Sequence, residues 1–184
     1  RIGYVGELGW ELHCPMSKMG DLYDAVWQAG EEFGIADFGV AAVNSLRMEK
    51  AYKGWGADLS NEISLIEAGM ERFISTKKET FIGRTALLQL RQDGVTTTCI
   101  YLEIDASDAD AAGGEPVFAN GKVVGVTTSG GYGHETQKSL AFAYVDPDCA
   151  APGTQLSVEI LGHPCGATVL AEAVWDAAND RIRA

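Results

Sequence analysis

No stretch of the 184-residue sequence holds the roughly 18 consecutive apolar residues that a membrane-crossing helix needs, so no membrane span is predicted. A signal-peptide pattern is also missing. Basic residues are scarce: 14 Lys and Arg stand against 26 Asp and Glu, the net charge is -12, and the one dense cationic cluster is Lys77-Lys78. Neutralising a phosphate backbone takes a basic face, so nucleic acid is excluded as a partner. An acidic surface of this kind favours solubility instead. The 4 cysteines (Cys14, Cys99, Cys149 and Cys165) form no CxxC pair and have no histidine at ligand spacing. That argues against a structural metal site and for reduced, partly buried thiols in a cytoplasmic-type compartment.

What is present suits a globular chain. It is 46% hydrophobic and 22% charged, and long enough to bury one large core or two small ones. Residues 1–14 alternate loosely, with Ile2, Tyr4, Leu8, Trp10 and Leu12 as the larger apolar side chains, and predict a strand, a glycine-containing turn near Glu7 and a return strand. Between Ser17 and Phe33 the spacing changes to that of an amphipathic helix carrying Met19, Leu22, Tyr23, Val26 and Trp27 on one face. A second helix is expected over Gly39 to Lys50, with Val40, Val43, Leu46 and Met48 near one side. Residues 51–83 are less regular and read as loops and short buried strands, one of them at Met70 to Ser75. Gly83 to Asp93 reads as a third helix.

Beyond Gln92 the texture turns all-β. "VTTTCIYLEI" is a β-branched run, "EPVFANGKVVGVTTS" is two strands joined at Asn120-Gly121, and three more strands follow in "SLAFAYVD", "GTQLSVEI" and "PCGATVLAEAVW". About six strands in this length predict a small barrel or sandwich. The fold class is therefore α+β, with domains at 1–92 and 93–184.

Glu7 and Glu11 flank Gly9-Trp10. As a surface hairpin, the stretch would simply solvate its carboxylates. As a pocket, it would let a glutamate accept two parallel hydrogen bonds from a flat N–C–N edge, with aromatic neighbours packed on the ring. "SGGYG" lacks the strand-then-helix context of a phosphate loop.

Four ordered stretches, "RIGYVGELGWEL", "NSLRMEKAYKGWGADL", "EAGMERF" and "FIGRTALLQ", together with the tail "VGVTTSGGYGHETQKSLAFAYV", resemble the glycine-cleavage T-protein family of tetrahydrofolate-binding aminomethyltransferases. The likeness is strongest to the branch fused to flavin-dependent dimethylglycine and sarcosine dehydrogenases, where a lysine, an aromatic and Trp-Gly follow Ser-Leu-Arg-x-Glu. It implies part of a folate-binding α/β domain followed by a small antiparallel β-barrel, in a chain that is the C-terminal portion of a longer enzyme.

By the same resemblance Glu11 grips the amino-pyrimidine edge of the pterin and Tyr4 lines the pocket. Trp10, Glu7 and Arg72 are further candidates for the folate site, Glu7 more as an organiser of local backbone. Arg47 and Glu49 are implied to brace the second helix, and Tyr52 and Trp55 to pack in the core. Val43 departs from T-proteins proper, which carry an arginine there that can reach the folate tail. The family's catalytic aspartate maps upstream of Arg1, so no catalytic residue is expected in this chain, and no metal. The cofactor implied is tetrahydrofolate, with FAD held only by the parent protein. The implied partners are a methylated amine substrate and the preceding portion of the polypeptide, in the cytoplasm or, in a eukaryote, the mitochondrial matrix. A standalone aminomethyltransferase and a non-catalytic folate binder are the alternatives.

Overall fold

A computed structural model describes residues 3–183; Arg1, Ile2 and Ala184 lie outside it. Its second half is a closed six-stranded barrel with strand order β1-β4-β3-β2-β5-β6, antiparallel throughout. The strands are β1 (Thr98–Ile104), β2 (Pro116–Ala119), β3 (Lys122–Gly133), β4 (Lys138–Val145), β5 (Gln155–Ile160) and β6 (His163–Leu170). The β2–β3 turn at Asn120-Gly121 has φ of 50° and 76°. Two positive φ values match the right-handed twist of the flanking strands, which is why Asn-Gly marks the hairpin so well.

Alternation along the strands builds two cores. Ile100, Leu102, Ile104, Ala141, Ala143, Val145, Leu156, Val158, Ile160, Ala167 and Val169 fill the barrel interior. From the same strands Tyr101, Leu140 and Phe142 point outward onto Met48. β4 is therefore buried on both faces, and "SLAFAYV" reads as a continuous apolar run rather than an alternating one.

The first half holds α1 (Met19–Gly30), α2 (Val40–Glu49) and α3 (Arg84–Asp93), each close to its expected span, and a short α4 (Asp180–Arg183) closes the chain. Other expectations are corrected. Residues 3–14 form no strand. Gly6, at φ 72°, turns this segment onto Lys50, and a Cβ there would sit 2.7 Å from the lysine Cγ. Met70 to Ser75 is not a strand but a turn of 3-10 helix at Glu71–Phe73. Trp55 is 73% exposed rather than packed in a core.

The largest correction concerns α2. Its buried residues are Ser45, Arg47, Met48 and Glu49, while Val40 is 86% exposed, so the helix turns a mainly polar face to the barrel. That face bonds directly to the backbone of β3. Asn44 Nδ2 donates to Gly130 O at 3.0 Å and Ser45 Oγ to Tyr132 O at 2.7 Å. Glu49 Oε1 accepts from Thr136 N at 2.7 Å and from Thr136 Oγ1 at 2.9 Å. Two glycines of "SGGYG", both strand residues, permit this approach: a Cβ on Gly131 would lie 2.9 Å from Asn44 Nδ2, and one on Gly133 2.6 Å from Glu49 Cγ.

After β6 the chain returns to the first half. Trp175 N donates to Glu49 O at 3.1 Å. Lys50 Nζ pairs with Asp176 Oδ2 at 2.8 Å, and the side chains of both are almost fully buried.

Close approach sets the first prediction. A Cβ at Gly125 would lie 2.1 Å from the Tyr144 carbonyl oxygen, so Gly125→Ala must displace backbone, and a loss of about 1–3 kcal/mol is expected. Gly20, inside α1, meets nothing within 4 Å. Gly20→Ala should stabilise by roughly 0.5–1 kcal/mol through helix propensity. Urea unfolding midpoints of the two variants, moving in opposite directions, check both.

Candidate functional site

The aromatic segment of the N-terminal motif meets the "EKAYKGWG" segment beyond α2. Tyr4 stacks on Tyr52 with ring centroids 5.9 Å apart and 24° between planes. Its hydroxyl donates to the Tyr52 carbonyl at 3.4 Å. Beside this pair lies an open cleft of about 540 Å³ lined by Tyr4, Ala51, Tyr52, Lys53, Gly69, Met70, Arg72 and Phe73. The cleft thus presents two phenol rings, an apolar floor and two cations. Arg72 stacks on Phe73 at 4.8 Å and Lys53 sits 5.1 Å over Phe142.

Of the residues expected in one site, Tyr4 and Arg72 are brought together here. Glu11 lies outside the lining of the cleft, with its side chain 51% exposed and 3.6 Å from His13 Nε2. Trp10 is 63% exposed. Glu7 is engaged elsewhere: Trp175 Nε1 donates to it at 2.8 Å and Arg181 Nε at 3.0 Å, so it ties the N-terminal motif to the end of the chain. Tyr52, expected in the core, forms part of the cleft wall instead.

Below the cleft lies a residue that sequence reasoning passed over. Asp58, 1% exposed, accepts from Arg47 Nη1 at 2.9 Å, Gly54 N at 2.7 Å and Ser129 Oγ at 2.6 Å, and also from Thr128 Oγ1. Neighbouring strand residues ordinarily point to opposite faces. A β-bulge between Thr127 and Ser129 breaks that rule and turns both hydroxyls toward one carboxylate. Arg47 spends its remaining donors on Asn44 Oδ1, at 2.9 Å from Nε and 2.7 Å from Nη2, and on Tyr52 O at 3.2 Å. The expected bracing role of Arg47 is met by this pair; Glu49 is braced by Thr136, and among the described residues no cation forms an ion pair with it. The signal for Asp58 was its place in "GWGADL", an acid beside glycines in an otherwise apolar stretch.

Burial pushes the Cys99 thiol up to about 11, so it stays protonated near neutrality and is a poor nucleophile. A second cleft, apolar and about 640 Å³, lies away from Tyr4 between Trp55, Ile63, Leu65, Phe73, Phe81 and Leu87.

Comparison with known proteins shows the family. The model of the GCVT N-terminal domain matches residues 1–78, and that of the glycine cleavage T-protein C-terminal barrel domain matches 98–176. The chain belongs to the glycine cleavage T-protein family. It is 43% identical to mouse dimethylglycine dehydrogenase, mitochondrial, over 94% of this chain and 20% of that protein. It is 36% identical to an aminomethyltransferase of Koribacter versatilis over 92% of this chain and 45% of the relative. A crystal structure of the glycine cleavage system aminomethyltransferase T from Bartonella henselae superposes with a TM-score of 0.86 at 26% identity, covering 95% of this chain and 48% of that one. The chain thus spans a fifth of the dehydrogenase and under half of the aminomethyltransferases.

The ion pair between Lys50 and Asp176 carries a pH prediction. The Lys50 hydrogen bond holds the Asp176 carboxyl below the usual range. A depressed carboxyl contributes stability in full above the unfolded value of about 3.9, and loses it as pH falls through the lower folded value. Trp175 fluorescence should therefore hold steady from neutrality to about pH 5 and change only below the ordinary aspartate range. Asp176→Asn should remove that acid transition; an unchanged acid limb in the variant would count against the clamp.

Proposed function

We propose that this chain forms the tetrahydrofolate-binding side of a one-carbon transfer enzyme, with the Tyr4–Tyr52 cleft as the folate wall. The observation that carries the reading is the pairing of stacked phenol rings with Lys53 and Arg72 around one cleft. A pterin is flat and aromatic and a folate tail is anionic, so rings and cations in one wall fit both ends of the molecule. Bound there, tetrahydrofolate supplies the amine that accepts the one-carbon unit. The protein's part is to hold that amine in place and exclude water, an effect worth roughly 7–11 kcal/mol of barrier in favourable cases.

Glu11 completes the reading as the carboxylate that accepts the paired N–H donors of the pterin edge, with Trp10 beside it. Its exposure fits a residue whose facing wall is contributed by the rest of the polypeptide. Several large apolar side chains of the first half are likewise open, among them Met16, Phe33, Phe38, Val40 and Ile82. The amphipathic face of α1 is uncovered too, with Tyr23 and Val26 exposed. A preceding portion of the parent chain would cover these surfaces and would carry the catalytic aspartate that this chain lacks. Residues 1–92 then form the C-terminal part of the folate domain and 93–184 the barrel that supports it.

The likeness to dimethylglycine and sarcosine dehydrogenases supports a parent that oxidises an N-methyl group with FAD and passes the carbon to tetrahydrofolate, in the mitochondrial matrix where the source is eukaryotic. A standalone aminomethyltransferase is the second reading, favoured by relatives of that name. The length of the parent polypeptide separates the two.

In the full-length polypeptide, Glu11→Gln is expected to weaken reduced-folate binding by about 1–3 kcal/mol, the scale of a lost charge-assisted hydrogen bond. Calorimetric titration with 5-formyltetrahydrofolate measures it, and wild-type affinity in the variant would remove Glu11 from the site.

A further inference from the structure

We propose that Asp58 is a positioning residue for the cleft, holding the Tyr4 phenol through Arg47 and the Tyr52 carbonyl and so coupling the barrel to the folate wall. The inference rests on the reading of that cleft as the folate site. Three consecutive contacts make the link. Asp58 Oδ2 accepts from Arg47 Nη1 at 2.9 Å, the same Nη1 donates to Tyr52 O at 3.2 Å, and that oxygen also accepts from Tyr4 Oη at 3.4 Å. Gly54 fixes the spacing between the ends. A Cβ there would stand 3.5 Å from Asp58 Oδ2 and 3.6 Å from Tyr4 Oη, so carboxylate and phenol flank one point of backbone.

On the other side Asp58 is held by Ser129 and Thr128 of the bulged strand, and its own carbonyl accepts from Tyr144 Oη at 2.8 Å. The four contacts of the carboxylate thus come from three parts of the fold: α2, the loop after it, and the barrel strand β3. A carboxylate needed only to neutralise Arg47 could use one bond. This one is oriented by four, and an oriented acceptor orients its donor.

The Tyr4 phenol faces Arg47 from α2 and Asp58 from the following loop, and shares its cleft with Tyr52, Lys53 and Arg72. Burial raises its pKa, Arg47 lowers it and Asp58 raises it. Loss of the Asp58 charge leaves Arg47 unneutralised, and the phenol then ionises at lower pH. Removal of a purely stapling Asp58 would still shift the phenol through charge, but would leave the ligand and its coupling to Tyr4 untouched.

The test uses the full-length polypeptide that carries this chain, labelled with 13C-ζ tyrosine, with the Tyr4 resonance assigned from Tyr4→Phe. Wild type, Asp58→Asn, Ser129→Ala, Tyr4→Phe and the Asp58→Asn/Tyr4→Phe double variant are titrated with alkali and, separately, with 5-formyltetrahydrofolate. Asp58→Asn is expected to move the Tyr4 titration to lower pH. It is also expected to weaken the folate by on the order of tenfold, a size usual for residues sharing one hydrogen-bond network. The effect of Tyr4→Phe on affinity should largely vanish in the Asp58→Asn background. If Asp58→Asn does not fold, Ser129→Ala, which keeps the ion pair, is expected to displace the Tyr4 resonance and weaken binding by about threefold. An unmoved Tyr4 signal in a folded variant, or single effects that multiply in the double variant, overturns the proposal. A wild-type protein that binds no reduced folate overturns the folate reading instead, while the Tyr4 resonance in Ser129→Ala still decides the relay.

Discussion

The structure depends on one buried ion pair. Arg47 and Asp58 sit where the second helix, the glycine-rich loop beyond it and the third barrel strand converge, and both side chains are almost wholly out of water. Burying two charges costs several kcal/mol per ion, and Coulomb attraction repays it only when the remaining donors and lone pairs are satisfied. Here they are. The guanidinium bonds Asn44, Tyr52 and Asp58, and the carboxylate accepts from a second backbone and two hydroxyl groups. Such a pair adds little net stability over an apolar substitute, but removing one partner leaves the other charge stranded, at a cost of about 3–5 kcal/mol. What it supplies is orientation. The guanidinium and the carboxylate have one arrangement that satisfies both, and the three elements follow it.

Several features that look unrelated follow from that requirement. A helix that must present Arg47 and Asn44 to a strand cannot bury an apolar stripe there, so α2 turns its polar side inward and leaves Val40 in solvent. Hydrogen bonds from Asn44 and Ser45 to strand carbonyls need the helix closer than side chains on the strand would allow, and β3 answers with Gly131 and Gly133. Two adjacent hydroxyls can reach one carboxylate only if the strand is bulged, and it is bulged at Thr128. Met48 alone of the buried helix residues is apolar, and it anchors the outer core with Tyr101, Leu140 and Phe142.

These relations also explain what could be read from the sequence. The barrel was legible because its signals are local: Asn120-Gly121 requires positive φ, and β-branched alternation marks strands wherever one face is buried. The three helices were legible from the spacing of their apolar residues. The face that α2 buries was not, because a helical period says where apolar residues recur and nothing about a partner that offers carbonyl groups. Residues 51–83 fold around contacts to the barrel and hold no strand beyond an isolated bridge between Trp55 and Leu59, so no period existed to find. Tyr4 and Arg72 were named as site residues from family likeness, and the structure sets them around one cleft. Glu7 was named beside them and instead ties down the chain end, since its partners Trp175 and Arg181 lie far along the sequence and only the folded chain brings them near.

The division of labour between the halves follows from how each treats its surface. The barrel closes on itself, satisfies its strand edges and fills its interior. The first half leaves aromatic and aliphatic side chains open on α1, around the apolar trough and beside the Tyr4 cleft. A one-sided cleft holds a flat ligand weakly, because only one face of the ring loses water and the polar edge stays solvated. On the proposed reading, enclosure by the preceding portion of the parent would desolvate Glu11, strengthen its bonds to the pterin edge and shut water out from the carbon being transferred. The barrel's contribution is of another kind. It supports the cleft through Ser129 and Thr128 on Asp58, and through Phe142 beneath Lys53 and Ala51, so it fixes the angle of the tyrosine wall against which the other wall must close.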